Sequence, residues 1–190
     1  MEIYTMVGWR KGNRLFKKIN PKDLIQYYLP EGLINITESI LLEYSHTIPP
    51  SEGLVYWAGT KQEKEIYITA CIAPRVIANK YNVTVDHYSN FRVVEALSKN
   101  RLVHIGQVHT HPTKWVGHSY TDSECASFKA SGLLSVVVPN FALKGILPLT
   151  KCGVHRFDNN IFIRLSNRYI NSHFKITNDT NFSLIDLRNE

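Results

Sequence analysis

The chain has 190 residues, of which 44% are hydrophobic and 20% are charged, a composition typical of one globular domain with a substantial core. No apolar segment approaches the roughly 20 residues that a membrane-spanning helix needs. The first residues lack the continuous apolar stretch of a secretory signal. We therefore expect a cytoplasmic protein without a membrane partner.

The net charge of +6 favours acidic partner surfaces, but it is spread along the chain. A small basic cluster lies near the N-terminus, and no DNA- or RNA-binding motif accompanies it. We interpret the excess as a solvated basic face and do not expect a nucleic-acid partner.

The three cysteines, Cys71, Cys125 and Cys152, are odd in number and form no CxxC pair. This spacing argues against a thiolate zinc site and against a disulfide framework. We expect three buried free thiols, because free cysteine packs as a small hydrophobe.

The first part of the chain contains two helix signals. Asn20 and Pro21 favour a short helix over about 21–29, with Pro21 at the first helical position. Asn35-Ile36-Thr37-Glu38 has the pattern of a capping box, which predicts a helix from there to about Ser45.

Apolar runs bounded by glycines or polar turns predict a sheet with helices between some of its strands. The predicted strands are 53–59 and 65–73, which form a hairpin, then 103–111, 133–139, 145–149, 153–158 and 161–165. The predicted helices are about 89–99, with Val93, Val94 and Leu97 inward, and about 119–130. Segment 74–88 is expected to form an irregular flap with a short β stretch at Val83-Thr84-Val85. The polar residues after about Ile176 predict a loosely ordered tail.

The stretch 109–122, HTHPTKWVGHSYTD, contains a candidate metal site. His109 and His111 are two positions apart, so on a strand their side chains point the same way. Two imidazoles and one carboxylate, here Asp122, suit a zinc ion and leave its fourth position open. The pattern Ser119-x-x-Asp122 is also typical of a helix start, and the two interpretations are compatible. In that case the Ser119 hydroxyl is available to stabilise an oxyanion.

A hydrolytic zinc site also needs a general base. Glu52 is the best candidate, because it stands at the entrance of the apolar strand 53–59. A solvated glutamate at a strand start is the alternative interpretation. Glu63, Glu65 and Glu95 are further candidates, but they lie in a polar turn or on a helix face.

Three other residues near the motif have weaker functional interpretations. Trp115 either lines a substrate groove or packs against its own loop. His118 either contacts a ligand or the substrate, or is an ordinary surface histidine. Gln107 shares the predicted strand face of His109 and is a candidate support for that ligand.

The pattern His109-x-His111-Pro112, six residues, Ser119, two residues, Asp122 resembles the JAMM (JAB/MPN) metalloprotease family. Glu52 before a glycine-containing apolar strand fits the same family. The stretch 133–142, LLSVVVPNFA, is similar to bacterial JAB-domain proteins. The resemblance covers about residues 35–165.

The resemblance implies a role for each of these residues. His109, His111 and Asp122 would ligate Zn²⁺, Glu52 would be the general base, and Ser119 would stabilise the oxyanion. The implied fold is a single α/β domain, a cytidine-deaminase-like curved mixed β-sheet flanked by α-helices. We divide the chain into an N-terminal extension packed on the domain (1–34), the JAB/MPN domain (35–176) and a polar C-terminal tail (177–190).

The implied activity is hydrolysis of the bond after the C-terminal tail of a ubiquitin-like protein, either in deconjugation or in precursor processing. Bacterial members of the family often accompany E1-like and E2-like enzymes in defence operons, so these enzymes are expected partners. One alternative is the trimming of a sulfur-carrier protein. Another is a non-catalytic MPN scaffold. Such scaffolds usually lack some of the metal ligands, whereas this sequence keeps all of them. A RadC-like role is less consistent with the sequence, because HNHPSG is expected where 109–114 reads HTHPTK.

Overall fold

A computed structural model describes residues 4–10, 13–18, 24–124 and 126–189, and only the backbone of residues 4–18. The strands in this part of the chain are β1 (Tyr4–Arg10), β2 (Asn13–Lys18), β3 (Gln26–Pro30), β4 (Leu54–Gln62), β5 (Glu65–Ala73), β6 (Ile77–Asn79), β7 (Asn82–Thr84), β8 (Val103–Thr110), β9 (Leu134–Val138), β10 (Gly153–Asp158), β11 (Ile161–Arg164), β12 (Phe174–Thr177) and β13 (Ser183–Asp186). The helices are α1 (Glu31–Ser45), α2 (His87–Lys99), α3 (Tyr120–Glu124) and α4 (Asn167–His173). No helix in this part of the chain combines the length and apolar character needed to span a bilayer.

Nine of the described strands form one mixed sheet in the order β11-β10-β9-β8-β4-β5-β3-β12, with β13 paired to β5 beyond the end of β3. Strand β4 is antiparallel to both β5 and β8. Strand β9 runs parallel to β8, so the chain must cross over between them. This connection carries the part of the motif that follows Thr110. The expected fold, a curved mixed α/β sheet flanked by helices in one domain, is confirmed.

Side-chain alternation along the central strand places a hydrophobic layer on each face of the sheet. Val55 and Trp57 of β4 belong to one buried cluster, which α1 covers. Leu54 and Tyr56 point the other way into a second cluster, which Val93 of α2 covers. His109 pairs with Leu54 in register and its neighbour Val108 lies in the first cluster, so His109 lies on the α2 face.

Much of the predicted order of elements is confirmed. The hairpin of β4 and β5 and strands β8, β9, β10 and β11 lie within a few residues of their predicted limits. Helix α2 begins earlier than expected, because Asp86 accepts a hydrogen bond from the backbone N–H of Ser89. The prediction that Val94 points inward is wrong, since 48% of this residue is exposed.

The prediction for the first helices is wrong in two places. Residues 26–29 of the expected helix 21–29 lie in strand β3, and residues 21–23 lie outside the described residues. Helix α1 begins at Glu31, immediately after the extended Pro30, and not at Asn35. The earlier start buries Leu33 and Ile34 against the sheet, which explains why the expected capping box lies inside the helix.

Two later predictions are corrected as well. The helix expected over 119–130 ends at Glu124, and Phe128 instead packs edge-on against Tyr56 in the α2-side cluster. The strand expected at 145–149 is absent from the described residues. The backbone N–H of Ile146 donates to the carboxylate of Glu38 in α1 at 2.9 Å. This N–H is therefore not available to pair with a neighbouring strand.

The tail is more ordered than its polar composition predicts. Ser183–Asp186 form β13 in the central sheet, parallel to β5. The Arg188 guanidinium that follows donates to Asp186 and pairs with Glu43 of α1. The division into 1–34, 35–176 and 177–190 stays a prediction, although both flanking segments contribute a strand to the same sheet.

Two of the expected buried thiols are present. Cys71 and Cys152 are free and buried, and burial raises the pKa of Cys71 to about 11 and that of Cys152 to about 12. Cys125 lies outside the described residues. The segment expected to form a flap contains the hairpin of β6 and β7, with β7 close to the predicted stretch at Val83.

Candidate metal centre

The two histidines of the motif are held between neighbouring strands. Thr110, which separates them, donates its backbone N–H to the carbonyl of Gly53, and its hydroxyl accepts the N–H of Gly53. The backbone N–H of His111 donates to the carbonyl of Val138 at the end of β9. The backbone that carries both imidazoles is therefore held by Gly53, just before β4, on one side and by the end of β9 on the other.

Asp122 is fixed by a reciprocal pair of hydrogen bonds at the start of α3. Its carboxylate Oδ2 accepts the backbone N–H of Ser119 at 2.6 Å, and its own N–H donates to Ser119 Oγ at 2.9 Å. This is the geometry of a helix cap, as the sequence predicts. The Ser119 hydroxyl proton is not used by this pair, and no acceptor for it lies among the described residues.

His109, His111 and Asp122 come together, and their potential ligand atoms all lie within 4.8 Å of one another. Asp122 Oδ2 is 3.2 Å from His111 Nε2 and 3.6 Å from His109 Nε2. Ligand atoms around a tetrahedral zinc ion with bonds of about 2.0–2.1 Å are roughly 3.3 Å apart. The group is therefore compatible with a bound metal ion.

The hydrogen-bonding state of the two rings fits such an ion. His109 is 2% exposed, and within the described residues neither of its ring nitrogens has a hydrogen-bond partner. Buried polar groups without partners are costly, so an additional ligand is needed to satisfy this ring. His111 Nδ1 donates to the carbonyl of Trp115 at 3.0 Å, which leaves Nε2 to face Asp122.

The charges of the cluster also favour a cation between its members. Burial opposes the ionised form of Asp122, but the neighbouring imidazoles of His109 and His111 hold its pKa well below the usual range. Burial lowers the pKa of His111, yet the hydrogen bond to Asp122 and its charge raise it overall. A divalent cation would satisfy the same carboxylate without requiring a proton on either ring.

Glu52 lies next to this cluster and is 3% exposed. Its backbone N–H donates to the carbonyl of Asn79 in β6 at 2.9 Å. Burial raises the pKa of the Glu52 carboxyl to about 7, while the charge of His111 lowers it and that of Asp122 raises it. A carboxyl group with a pKa near neutrality is suited to proton transfer.

The other glutamates considered from the sequence have different surroundings. Glu65 accepts hydrogen bonds from the hydroxyls of Tyr28 and Tyr67, at the end of β5 opposite to the site. Glu95 pairs with Arg92 on the surface of α2. Glu63 lies exposed in the turn between β4 and β5. Of the four, the structure brings Glu52 to the cluster.

A second set of polar residues lies beside the cluster, and the sequence pointed to Gln107 and His118 but not to Ser135 and His155. Gln107, Ser135 and His155 form a row across β8, β9 and β10, because Ser135 is in register with both of the others. His118 packs on this row and bonds to Ser135 Oγ at 3.0 Å. Burial lowers the pKa of His118 to about 3 and that of His155 to about 4. The one available signal is that Ser135 interrupts the apolar run LLSVVVP.

A narrow cleft opens beside His109 and Asp122. It is lined by β4, β8, the segment around β7 and the segment that follows α3, through Leu54, Gln107, Val83, Thr84, Val85, Ala126 and Ser127. Trp115 stacks on the His111 ring, with centroids 5.1 Å apart, and 52% of it remains exposed. Trp115 therefore packs against its own loop, and its role in a substrate groove stays a prediction.

Comparison with known proteins gives a relative and a fold. No protein-family model matches the chain. The probable metalloprotease y4jG of Sinorhizobium fredii (strain NBRC 101917 / NGR234) is 33% identical over 95 residues, which cover 48% of this chain and 58% of that protein. The solution structure of protein DSY2949 from Desulfitobacterium hafniense superimposes with a TM-score of 0.60 at 13% identity, covering 81% of this chain and 94% of that one.

These likenesses support different conclusions. The structural neighbour shows the fold and nothing about activity. The chain spans a little over half the length of the relative, whose name describes it as a probable metalloprotease. The relative's name and the group of His109, His111 and Asp122 both agree with a bound metal ion.

Proposed function

We propose that this protein is a JAMM-type zinc metallopeptidase that cleaves the bond after the C-terminal tail of a ubiquitin-like protein. The observation that carries the chemistry is the buried group of His109, His111 and Asp122, with unsatisfied nitrogens on His109 and the buried Glu52 beside it. The substrate class rests on the H-x-H-P-x6-S-x-x-D pattern, which resembles the JAMM family.

In this proposal His109, His111 and Asp122 would hold the zinc ion through a ring nitrogen of each histidine and a carboxylate oxygen. When bound, zinc supplies Lewis acidity at the open side of the group and makes water there more acidic. Glu52 takes the proton from the attacking water and delivers it to the leaving amine. The free hydroxyl proton of Ser119 is donated to the oxyanion that develops on the scissile carbonyl.

The proposal predicts that replacing Glu52 by Gln removes cleavage but leaves zinc binding intact. The amide is nearly isosteric with the carboxyl group but cannot accept the proton, so we expect a loss of at least about 100-fold in kcat. Zinc content is measured by elemental analysis of protein purified without chelator. Cleavage of ubiquitin-like and sulfur-carrier fusions is followed side by side by intact mass.

Glu95→Gln, on the surface of α2, is the matched control and should cleave like the unchanged protein. Full cleavage by Glu52→Gln would exclude Glu52 as the base. A protein that holds no zinc and cleaves no fusion would instead support the non-catalytic scaffold. Cleavage of the sulfur-carrier fusions alone would assign the trimming activity. E1-like and E2-like enzymes remain proposed partners, testable by co-purification.

A further inference from the structure

His118 sits in the middle of a chain of hydrogen bonds that runs from the sheet to the start of α3. Gln107 Nε2 donates to Ser135 Oγ at 3.2 Å, and Ser135 Oγ lies 3.0 Å from His118 Nε2. On the other side of the ring, His118 Nδ1 lies 3.0 Å from Ser123 Oγ, which donates to the carbonyl of Ser119 at 3.1 Å.

The groups at the two ends of this series determine which atom donates in each of its hydrogen bonds. Ser123 Oγ gives its proton to the Ser119 carbonyl, so it accepts from His118 Nδ1–H. With Nδ1 protonated on a neutral ring, Nε2 is an acceptor and receives the proton of Ser135 Oγ. Ser135 Oγ in turn accepts the amide N–H of Gln107. Each member of the chain thus has a partner, and a buried network that is fully satisfied is rigid.

Aromatic packing fixes the plane of the His118 ring. The ring stacks on Phe162 of β11, with centroids 4.2 Å apart and an interplanar angle of 23°. It meets the rings of His155 and His109 edge-on, at 5.2 and 6.1 Å. His118 is therefore held in place by the sheet and is not an ordinary surface histidine.

Helix α3 needs such an anchor because it has only five residues. A helix this short is not stable by itself in water. Its start carries the Asp122 carboxylate, and the hydrogen bond that orients this carboxylate comes from the Ser119 backbone. His118 holds both sides of this turn, since it precedes Ser119 in the chain and bonds to Ser123.

We propose that His118 is a positioning residue that fixes the Asp122 carboxylate for metal binding by tying the turn 119–123 to Ser135 and Gln107 of the sheet. The inference rests on the proposed metal site, and it assigns His118 no contact with substrate or metal. Replacing a group that orients a metal ligand typically weakens the metal affinity by about 10–100-fold.

The test is the zinc affinity of His118→Phe, measured by competition with a chromophoric chelator. Phenylalanine can keep the stacking on Phe162 but loses both hydrogen bonds of the ring. We expect zinc to bind about 10–100-fold more weakly and the visible absorption spectrum of the Co²⁺-loaded protein to change. His118→Gln, whose amide both donates and accepts, should restore part of the affinity.

His173→Phe is the matched control. His173 is also buried, stacks on Tyr169 at 4.0 Å, and bonds through Nδ1 to the Tyr169 carbonyl, but it belongs to α4. This variant loses one hydrogen bond of a stacked histidine and should keep the affinity and the Co²⁺ spectrum unchanged.

Unchanged zinc affinity and an unchanged Co²⁺ spectrum in His118→Phe would overturn the inference. If that variant does not fold, Ser135→Ala decides, because it keeps the His118 ring and removes its Nε2 bond together with the Gln107 bond to Ser135 Oγ. It should weaken zinc binding by a smaller factor, and an unchanged affinity overturns the inference. If the unchanged protein binds neither zinc nor Co²⁺, the proposed function itself fails, and that outcome is recognisable before any variant is made.

Discussion

Histidines buried in the neutral state make the stability of this protein depend on pH. His155 is 3% exposed, and burial lowers its pKa to about 4, with the charge of Arg164 acting in the same direction. An unfolded histidine has a pKa of about 6.5. Between these two values the unfolded chain binds more protons than the folded one, so the stability from His155 is present above about 6.5 and is lost as the pH falls towards 4.

We therefore predict that His155→Phe reduces the pH dependence of unfolding. In metal-free protein, the free energy of unfolding from urea titrations at pH 7 and pH 5 should fall less in the variant than in the unchanged chain. The expected difference is on the order of 1–2 kcal/mol. Replacement of the exposed His46 by Phe serves as the control. An equal fall in the free energy of unfolding between pH 7 and pH 5 for His155→Phe and the unchanged chain would show that His155 is not held neutral by burial.

The sequence could predict the residues whose arrangement follows from local spacing, and it also singled out Glu52 at the entrance of a strand. His109, His111, Ser119 and Asp122 lie within one short stretch, and their geometry follows from strand alternation and helix capping. Ser135 and His155 join the site only because β9 pairs with both β8 and β10. That register depends on contacts between distant parts of the chain, which a single sequence does not encode in a readable pattern.

At the scale of elements, the loop that carries Trp115 is seated against strand β10. A Cβ atom added to Gly153 would lie 1.8 Å from the carbonyl oxygen of Val116 and 3.0 Å from the His155 ring. The Val116 carbonyl is part of the backbone, so it cannot move away as easily as the end of a flexible side chain. The glycine at this position therefore lets the loop between the candidate ligands approach the sheet.

We predict that Gly153→Ala destabilises the protein by about 1–3 kcal/mol, as overpacking usually does, and also weakens zinc binding. The displaced loop would pull the Trp115 carbonyl away from His111 Nδ1. Urea unfolding and zinc competition measure the two effects.

Gly132→Ala provides the comparison. No atom lies within 4 Å of its added Cβ, and the left-handed φ of 92° makes the change cost about 1–2 kcal/mol of backbone strain. It should lower stability and leave the zinc affinity unchanged. A Gly153→Ala protein that binds zinc normally would show that the loop position does not matter for the site.

Elements with strong periodic patterns were predictable, and those decided by tertiary contacts were not. The hairpin of β4 and β5 follows from two apolar runs around a polar turn. The early end of α3 depends on Phe128 packing against Tyr56, and the lack of a strand at Ile146 depends on Glu38. Neither partner is close in sequence, so local propensity gave the wrong element in both places.

For the whole molecule, the C-terminal segment is part of the sheet. Strand β13 pairs with β5, Leu187 is 8% exposed in the α2-side cluster, and Phe182 packs against Gly32 of α1. The strand escaped prediction because its polar residues and edge position hide the alternation typical of a buried strand.

Deletion of residues 178–190 should therefore lower the free energy of unfolding by at least about 3 kcal/mol, from the buried side chains alone. Arg188→Gln removes only the partly exposed ion pairs with Glu43 and Asp186 and should cost less than about 1 kcal/mol. Both values are measured by urea unfolding. A truncated chain with the stability of the full chain would mean that the segment is a dispensable tail.

The order in which the site is assembled follows from the pairing of Gly53 with Thr110, which lie 57 positions apart. The three candidate metal ligands emerge from the ribosome within one short stretch, whereas Glu52 reaches them only after β4 and β8 close the long intervening segment. Closing a loop of this length has an entropic cost that the nascent chain meets late. Because the same pairing holds Thr110 between His109 and His111, the candidate metal ligands reach their final positions in the step that brings Glu52 beside them.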